Sequence, residues 1–206
     1  MSLPLSSKEK INFNEKSPSP FTPGGSRSKT SLEKLIITML IESSISLIVY
    51  YNYDKLNFIN PMLAPTLLGC ISGALAQSIN QYFKRKFYLN KIIKFMIWGS
   101  INGYFTVAWI NILINKIDNL PYRIMIDQLI GVPTFQLIFN VLNTLWDQGE
   151  LFTENTRHSY IKSLKYSYCY WPFFSIFSFM LIPQSLMFPC NCLANLLWNI
   201  ILSKIA

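Results

Sequence analysis

The chain has 206 residues, 51% of them apolar and only 14% charged, with a net charge of +8. A soluble domain is typically about 25% charged, so this composition argues against a water-soluble globule, and the length makes a single domain the default. One histidine, His158 in a polar stretch, and four cysteines without zinc-type spacing argue against a metal centre.

Residues 1-31 read as a disordered polar tail, rich in Ser, Pro and Lys. The stretch has no apolar core of the secretory-signal kind. Glu9 and Glu15 make it a poor match to a basic, acid-poor mitochondrial presequence. Ser31 can cap the helix that follows. Residues 32-206 read as a single transmembrane helical domain, because the charges cluster in short segments and the apolar runs between them approach the ~20 residues that a span requires. The predicted spans are Leu35 to Tyr53, Pro61 to Phe83, Ile92 to Asn115 and Ile124 to Trp146. A polar loop is expected from Asp147 to Lys165, then two shorter stretches, Tyr166 to Ile182 and Ser185 to Leu202, divided by Pro183. Pro189 should interrupt the last stretch and Pro133 should kink the fourth span. The last two stretches can cross separately or form a re-entrant hairpin. The expected fold class is therefore an all-α, polytopic transmembrane helix bundle with four to six membrane helices.

Charge supports this layout. The tail, the loop around Lys84-Arg85-Lys86, the segment holding Arg157, Lys162 and Lys165, and the C-terminus fall on one side. Together they hold 15 of the 18 basic residues, leaving Lys55, Lys116 and Arg123 for the other. Such asymmetry in short loops is the positive-inside bias. It accounts for the basic balance without a nucleic-acid partner, and it names the lipid bilayer as the first partner.

Polar residues inside the spans are the candidate functional groups. Gly69 and Gly73 are one helical turn apart, with Ser72 and Ala76 nearby, and small residues at this spacing let helices approach closely. The face they make is equally a candidate for homo-oligomer contact. Gln136, Asn140, Asn143 and Asp147 share one helical face, as do Asn191, Asn195, Asn199 and Ser203. Gln77 with Gln81, and Asn111 with Asn115, repeat the pattern. An amide in hydrocarbon is costly without a partner. Each stripe therefore faces another helix, as interhelical hydrogen bonding, or water, as a polar-lined passage for small solutes. Glu42 lies within the first span beside Ser43, Ser44 and Ser46. A carboxyl at that depth is either functional or paired with a neighbour. Asp127 and Gln128 open the fourth span. Trp171-Pro172 suits interface anchoring and a helix start, with a gating hinge as the other reading. Cys70, Cys169, Cys190 and Cys192 read as small buried apolar residues.

The segment Tyr168-Cys169-Tyr170-Trp171-Pro172, with Phe179, Ile182-Pro183, Trp198-Asn199 and Leu202-Ser203, resembles the signature of the Mpv-seventeen and twenty-two-kilodalton peroxisomal membrane protein family. Asp127-Gln128 with Pro133, Gly103 with Trp109, and Gly69 and Gly73 with Gln81 and Lys84-Arg85-Lys86 are similar to its upstream elements. The likeness covers about 61-206. Several family positions differ here: Ala76 stands where an Asp is usual, Tyr104 where a Pro is, Ser175 and Ser178 where Gln and Asn are, and Met187 where an Arg is, so several charged or strongly polar positions are neutral. The resemblance implies a small helical protein of the mitochondrial inner, peroxisomal or vacuolar membrane. Some members are described as channels for small solutes, and none has known catalytic residues.

The expected function is thus a small-solute channel or permeability factor of the mitochondrial inner membrane. The alternative is a non-transporting scaffold or assembly protein of the peroxisome or vacuole. An enzyme is not expected, since no nucleophile with a base, carboxylate pair or ligand cluster appears in the spans. No cofactor is expected either.

Overall fold

The structure is a computed structural model that describes residues 25–205, with side chains described at 31–198 and 200. The expectations for residues 1–24 and for the side chains of Asn199 and Ser203 lie outside the described residues. The elements are α1 (Gly25–Tyr51), the short α2 (Tyr53–Ile59), α3 (Leu63–Phe83), α4 (Leu89–Lys116), α5 (Leu120–Ile126), a π-helical turn (Asp127–Gly131), α6 (Val132–Gln148), α7 (Glu154–Leu181) and α8 (Gln184–Ile205). The described residues are all-helical, without strands. Leu89–Lys116 and the continuous rod Leu120–Gln148 are long and apolar enough to cross a membrane by length and composition.

Several boundaries differ from the sequence reading. Helix α1 already runs at Gly25, so Ser31 lies inside it rather than at its cap. The polar loop expected up to Lys165 is short, because Thr153 starts α7. Its hydroxyl accepts from the Thr156 N–H at 3.1 Å, and the Thr156 hydroxyl accepts from the Thr153 N–H at 3.0 Å. This reciprocal cap uses Thr where Glu or Gln is usual. Gly149, at φ 75°, closes α6 in the left-handed conformation and gives its N–H to the Leu145 carbonyl at 2.9 Å. Pro183 does separate α7 from α8, but Pro189 does not interrupt α8 and Pro172 sits within α7 rather than at a helix start.

Pro133 perturbs its helix in a specific way. A proline has no N–H to offer and its ring crowds the carbonyl four residues back, here that of Leu129. The preceding turn widens in response: the Val132 N–H reaches the Asp127 carbonyl, five residues back. The result is a π turn, a form common at functional sites.

Burial is inverted relative to a soluble protein. Glu42, Gln77, Ser78, Gln81, Gln136 and Asn140 are buried, while Ile37, Leu40, Leu47, Ile48, Phe173 and Leu181 are exposed. Of the cysteines expected to be buried, only Cys192 is; Cys70 and Cys190 are intermediate, and Cys169 is exposed. Cys169 projects from the outer face of α7, where a thiol is compatible with a lipid environment and gains nothing from turning inward.

Helices α3 and α4 form an antiparallel hairpin held by direct backbone contact. A Cβ on Gly69 would collide with the Gly99 carbonyl oxygen and lie 3.0 Å from the Gly103 Cα. A Cβ on Gly73 would strike the Phe95 carbonyl, and one on Gly103 the Pro65 carbonyl. Two Gly-x-x-x-Gly faces thus interlock, and dispersion between closely packed backbones supplies attraction that hydrocarbon solvent does not. Gln81 fixes the turn: its Nε2 donates to the Tyr88 carbonyl at 3.0 Å and its Oε1 accepts from the Tyr88 N–H at 2.5 Å. On the other face of α3, α1 packs with Leu35 fully buried.

Gly99→Val should therefore lower stability by about 1–3 kcal/mol or more, the usual cost of overpacking. Ile97→Val, on the exposed face of the same helix, should change it by less than about 0.5 kcal/mol. Thermal unfolding in detergent micelles measures both, and equal effects would show that the glycine contact is not what holds the hairpin.

Candidate functional site

Four elements, α4, the α5–α6 rod, α7 and α8, surround a cavity of about 100 Å³. That is room for several waters. Helix α4 supplies Asn102, Thr106 and Trp109, spaced by one helical turn or slightly less so that they share a face. The rod supplies Asp127 and Gln136, α7 supplies Ser175 and Ser178, and α8 supplies Asn191 and Asn195. Aromatic rings complete the wall. Among them Trp171 and Trp198 approach at 6.1 Å between centroids, with Tyr170 stacked on Trp198 at 5.4 Å.

Asp127 anchors the cavity at the π turn. Its Oδ1 accepts from Trp109 Nε1 at 2.8 Å. Its Oδ2 accepts from Gln128 Nε2 at 3.1 Å and, in a short hydrogen bond, from the Ser175 hydroxyl. Gln128 Nε2 also lies 2.7 Å from Ser175 Oγ, and the Tyr168 hydroxyl donates to the Gln128 carbonyl at 3.3 Å. One carboxylate thereby ties α4 and α7 to the rod with donors from three other side chains. Gly131 is needed for this arrangement. A Cβ there would lie 2.7 Å from Trp109 Nε1 and 2.8 Å from Asp127 Oδ1, displacing one partner of the bond.

The predicted amide stripes divide. Gln136 lines the cavity, is only 7% exposed, and its Oε1 is buried without a hydrogen-bond partner. Asn140, one turn on, donates to Ser163 Oγ of α7 at 3.0 Å and to the Gln136 carbonyl at 2.7 Å. It serves the α6–α7 interface, as does the Thr156 hydroxyl donating to Thr144 Oγ1 at 3.0 Å. Asn143 accepts from Lys94 Nζ at 2.9 Å, and Lys94 pairs with Asp147 at 2.8 Å. Asn191 and Asn195 face the cavity, with Asn195 Nδ2 donating to the Asn191 carbonyl at 3.0 Å.

The other sequence candidates lie elsewhere. Glu42 is paired with α3, accepting from the Ser78 hydroxyl at 3.0 Å, and its Oε2 is buried without a partner. It is not part of the cavity wall. Gly69 and Gly73 are consumed by the α3–α4 contact. Trp171 turns inward onto Trp198, which departs from the expectation of an interface anchor, and Pro172 behind it carries no contact to the cavity. Asn102 and Thr106 were not singled out from the sequence, and Ser175 appeared there only as a departure from the family pattern. The one-turn spacing of Asn102 and Thr106 was a readable signal, whereas the Ser175 hydroxyl could be assigned only once α7 was placed beside the π turn.

A cavity lined by aromatic rings and a set of convergent polar side chains, between helices whose outer surfaces are apolar, fits a helical membrane protein. Residues 148–203 match the Mpv17 / PMP22 family. The chain is also 26% identical over 151 residues to PXMP2/4 family protein 3 of Dictyostelium discoideum, covering 70% of this chain and 81% of that protein. The chain is thus similar to the Mpv17 / PMP22 family in its C-terminal part and to this relative over most of its length. No solved structure matches the chain.

Asp127→Ala would strand the donors of Trp109, Gln128 and Ser175, and should cost about 1–3 kcal/mol. Ser175→Ala should cost less, and the double substitution less than the sum of the two, because both act on one network. Thermal unfolding of the four proteins closes the cycle; strict additivity would mean that the short contact contributes nothing.

Proposed function

We propose that this protein provides a passage for small polar solutes across an organelle membrane. The observation that carries the reading is the cavity bounded by Asp127, Gln136, Asn102 and Asn191 inside a molecule whose periphery is hydrocarbon-like. Polar groups in a membrane domain that are not spent on one another mark a water-filled or solute-filled space. Asn140 and Asn143 are spent on other helices, whereas Gln136 keeps a buried acceptor without a partner.

We take all six long helices as crossings, counting Leu120–Gln148 as one. Leu89–Lys116 and Leu120–Gln148 are long and apolar enough to cross; the other four have at least 21 residues each, with the charges of α7 confined to its first twelve positions, and the basic residues gather at one set of ends. The site of action we propose is the mitochondrial inner membrane, on the family likeness, with the peroxisomal and vacuolar membranes as alternatives. The role is non-catalytic in this reading: the donors around Asp127 serve to hold a helix junction. A scaffold role remains the second reading. The glycine face of α3 lends it no support, since α4 already occupies that face.

Purified protein in a planar bilayer should conduct small ions, and silence under all conditions would favour the scaffold. Cysteines introduced as Asn191→Cys and Asn195→Cys in a background free of native cysteines should react with aqueous thiol reagents. If neither reacts, the cavity is dry and the passage reading falls. A fluorescent fusion locates the protein; a purely peroxisomal signal would overturn the mitochondrial assignment.

A further inference from the structure

A second cavity, of about 310 Å³, lies between α4 and α6. Its walls include Lys94, Ile97, Leu142, Asn143 and Trp146; Ile97 is 45% and Trp146 39% exposed, so this is a groove open on the outer side of the two helices. Two residues line both this cavity and the polar one: Trp98 of α4 and Phe139 of α6. Their ring centroids are 5.2 Å apart, and Phe95 packs on Phe139 at 6.1 Å.

The order of lining residues along the two helices is informative. Descending α4 from Ile110 through Thr106 and Asn102 to Trp98 follows the polar cavity, and Trp98 to Lys94 follows the second. Ascending the rod from Asp127 through Gln136 to Phe139, then to Asn143 and Trp146, repeats that order on the antiparallel neighbour. The cavities are therefore in series along the helix axes, with the Trp98 and Phe139 rings between them. From Asp127 to Trp146 the rod covers about 20 residues, or about 30 Å at helical rise, which is the thickness of a bilayer core. One end carries the Lys94–Asp147 pair, with Lys94 11% and Asp147 48% exposed, on the side where basic residues accumulate. The opposite end carries Asp127.

We propose that the Trp98–Phe139 ring pair is the barrier between this open groove and the inner cavity and controls the movement of small solutes from the Lys94 end to the Asp127 end. This rests on the passage reading and adds to it the residues that close the path. The two rings, tilted at 57° to one another, present mostly apolar surface, with the Trp98 indole N–H as their single donor, and a hydrophobic constriction of this kind holds back ions by dewetting. Opening it requires only rotation of the side chains or a small separation of α4 from α6. Backbone contact between those two helices is sparse beside the extensive α3–α4 contact, so such a separation strains chiefly the Lys94 bonds to Asn143 and Asp147.

The test uses the full chain, with its native cysteines replaced, in proteoliposomes of one orientation. A membrane-impermeant maleimide is added on the Lys94 side. The reporter Asn102→Cys, beyond the rings, should label slowly when both rings are intact. Adding Phe139→Ala should speed labelling by at least about tenfold, equivalent to about 1.4 kcal/mol of barrier. Trp98→Ala should do the same from the opposite helix, so the misfolding of one variant in a thermal melt leaves the other to decide. Asn143→Cys, before the rings, should label quickly in every background. Equal labelling at Asn102→Cys with and without the rings, no labelling in either opened variant, or silence at Asn143→Cys would each overturn the proposal. Potassium chloride flux in the same vesicles separates the two levels. Ring-dependent labelling with no flux in any variant supports the barrier and sinks only the transport reading, whereas flux that rises with ring removal supports both.

Discussion

Hydrocarbon offers a polar group nothing to bond with, and that constraint organises this molecule. An amide, hydroxyl or carboxyl placed within an apolar helix is costly unless it bonds its own helix turn, another helix or water. The consequences are visible helix by helix. Ser78 donates to Glu42 between α1 and α3, Asn140 to Ser163 between α6 and α7, and Ser175 to Asp127 between α7 and the π turn. The large apolar side chains that would form the core of a soluble protein cover the periphery instead. Individually such interhelical bonds contribute only about 0.6–2 kcal/mol. Their stronger effect is on uniqueness, because a rotated helix would leave each of these groups unpaired.

Where polar bonding is absent, packing takes over. The α3–α4 hairpin has hardly any side-chain hydrogen bond along its length and relies on four glycines that bring the two backbones together. This gives the bundle a rigid edge. The opposite edge, α6 with α7, is joined by small polar side chains. Between these two seams α4 and α6 touch lightly, and the cavities occupy that gap. Rigidity on the flanks and looseness in the middle is the arrangement that a passage through the bundle would need.

The π turn links local sequence to the cavity. Pro133 denies the helix one hydrogen bond, the turn before it widens, and the Asp127 side chain is brought to Trp109 and Ser175. Gly131 leaves the space for that approach. A proline expected merely to kink a helix thus has a more particular outcome, the placement of the one carboxylate that borders the polar cavity.

The sequence alone determined the solvent and the element order. Charge deficit, the length of apolar runs and the one-sided distribution of Lys and Arg already required membrane helices, because burying charge in hydrocarbon is prohibitive wherever the helices are placed. It also showed Gly69 and Gly73 as a close-contact face. It missed Gly99 and Gly103 as the matching face, although their spacing is identical. It also missed the Thr153 cap that shortens the loop before α7, because the reciprocal residue is Thr rather than Glu. Only the tertiary structure decided the fate of each polar residue. Gln136, Asn140 and Asn143 have the same periodicity in the sequence, yet one borders a cavity, one bonds α7 and one bonds Lys94. Periodicity fixes which face of a helix a residue occupies; what stands opposite that face depends on neighbours distant in the chain, and for an amide in a membrane the neighbour is what separates packing from passage.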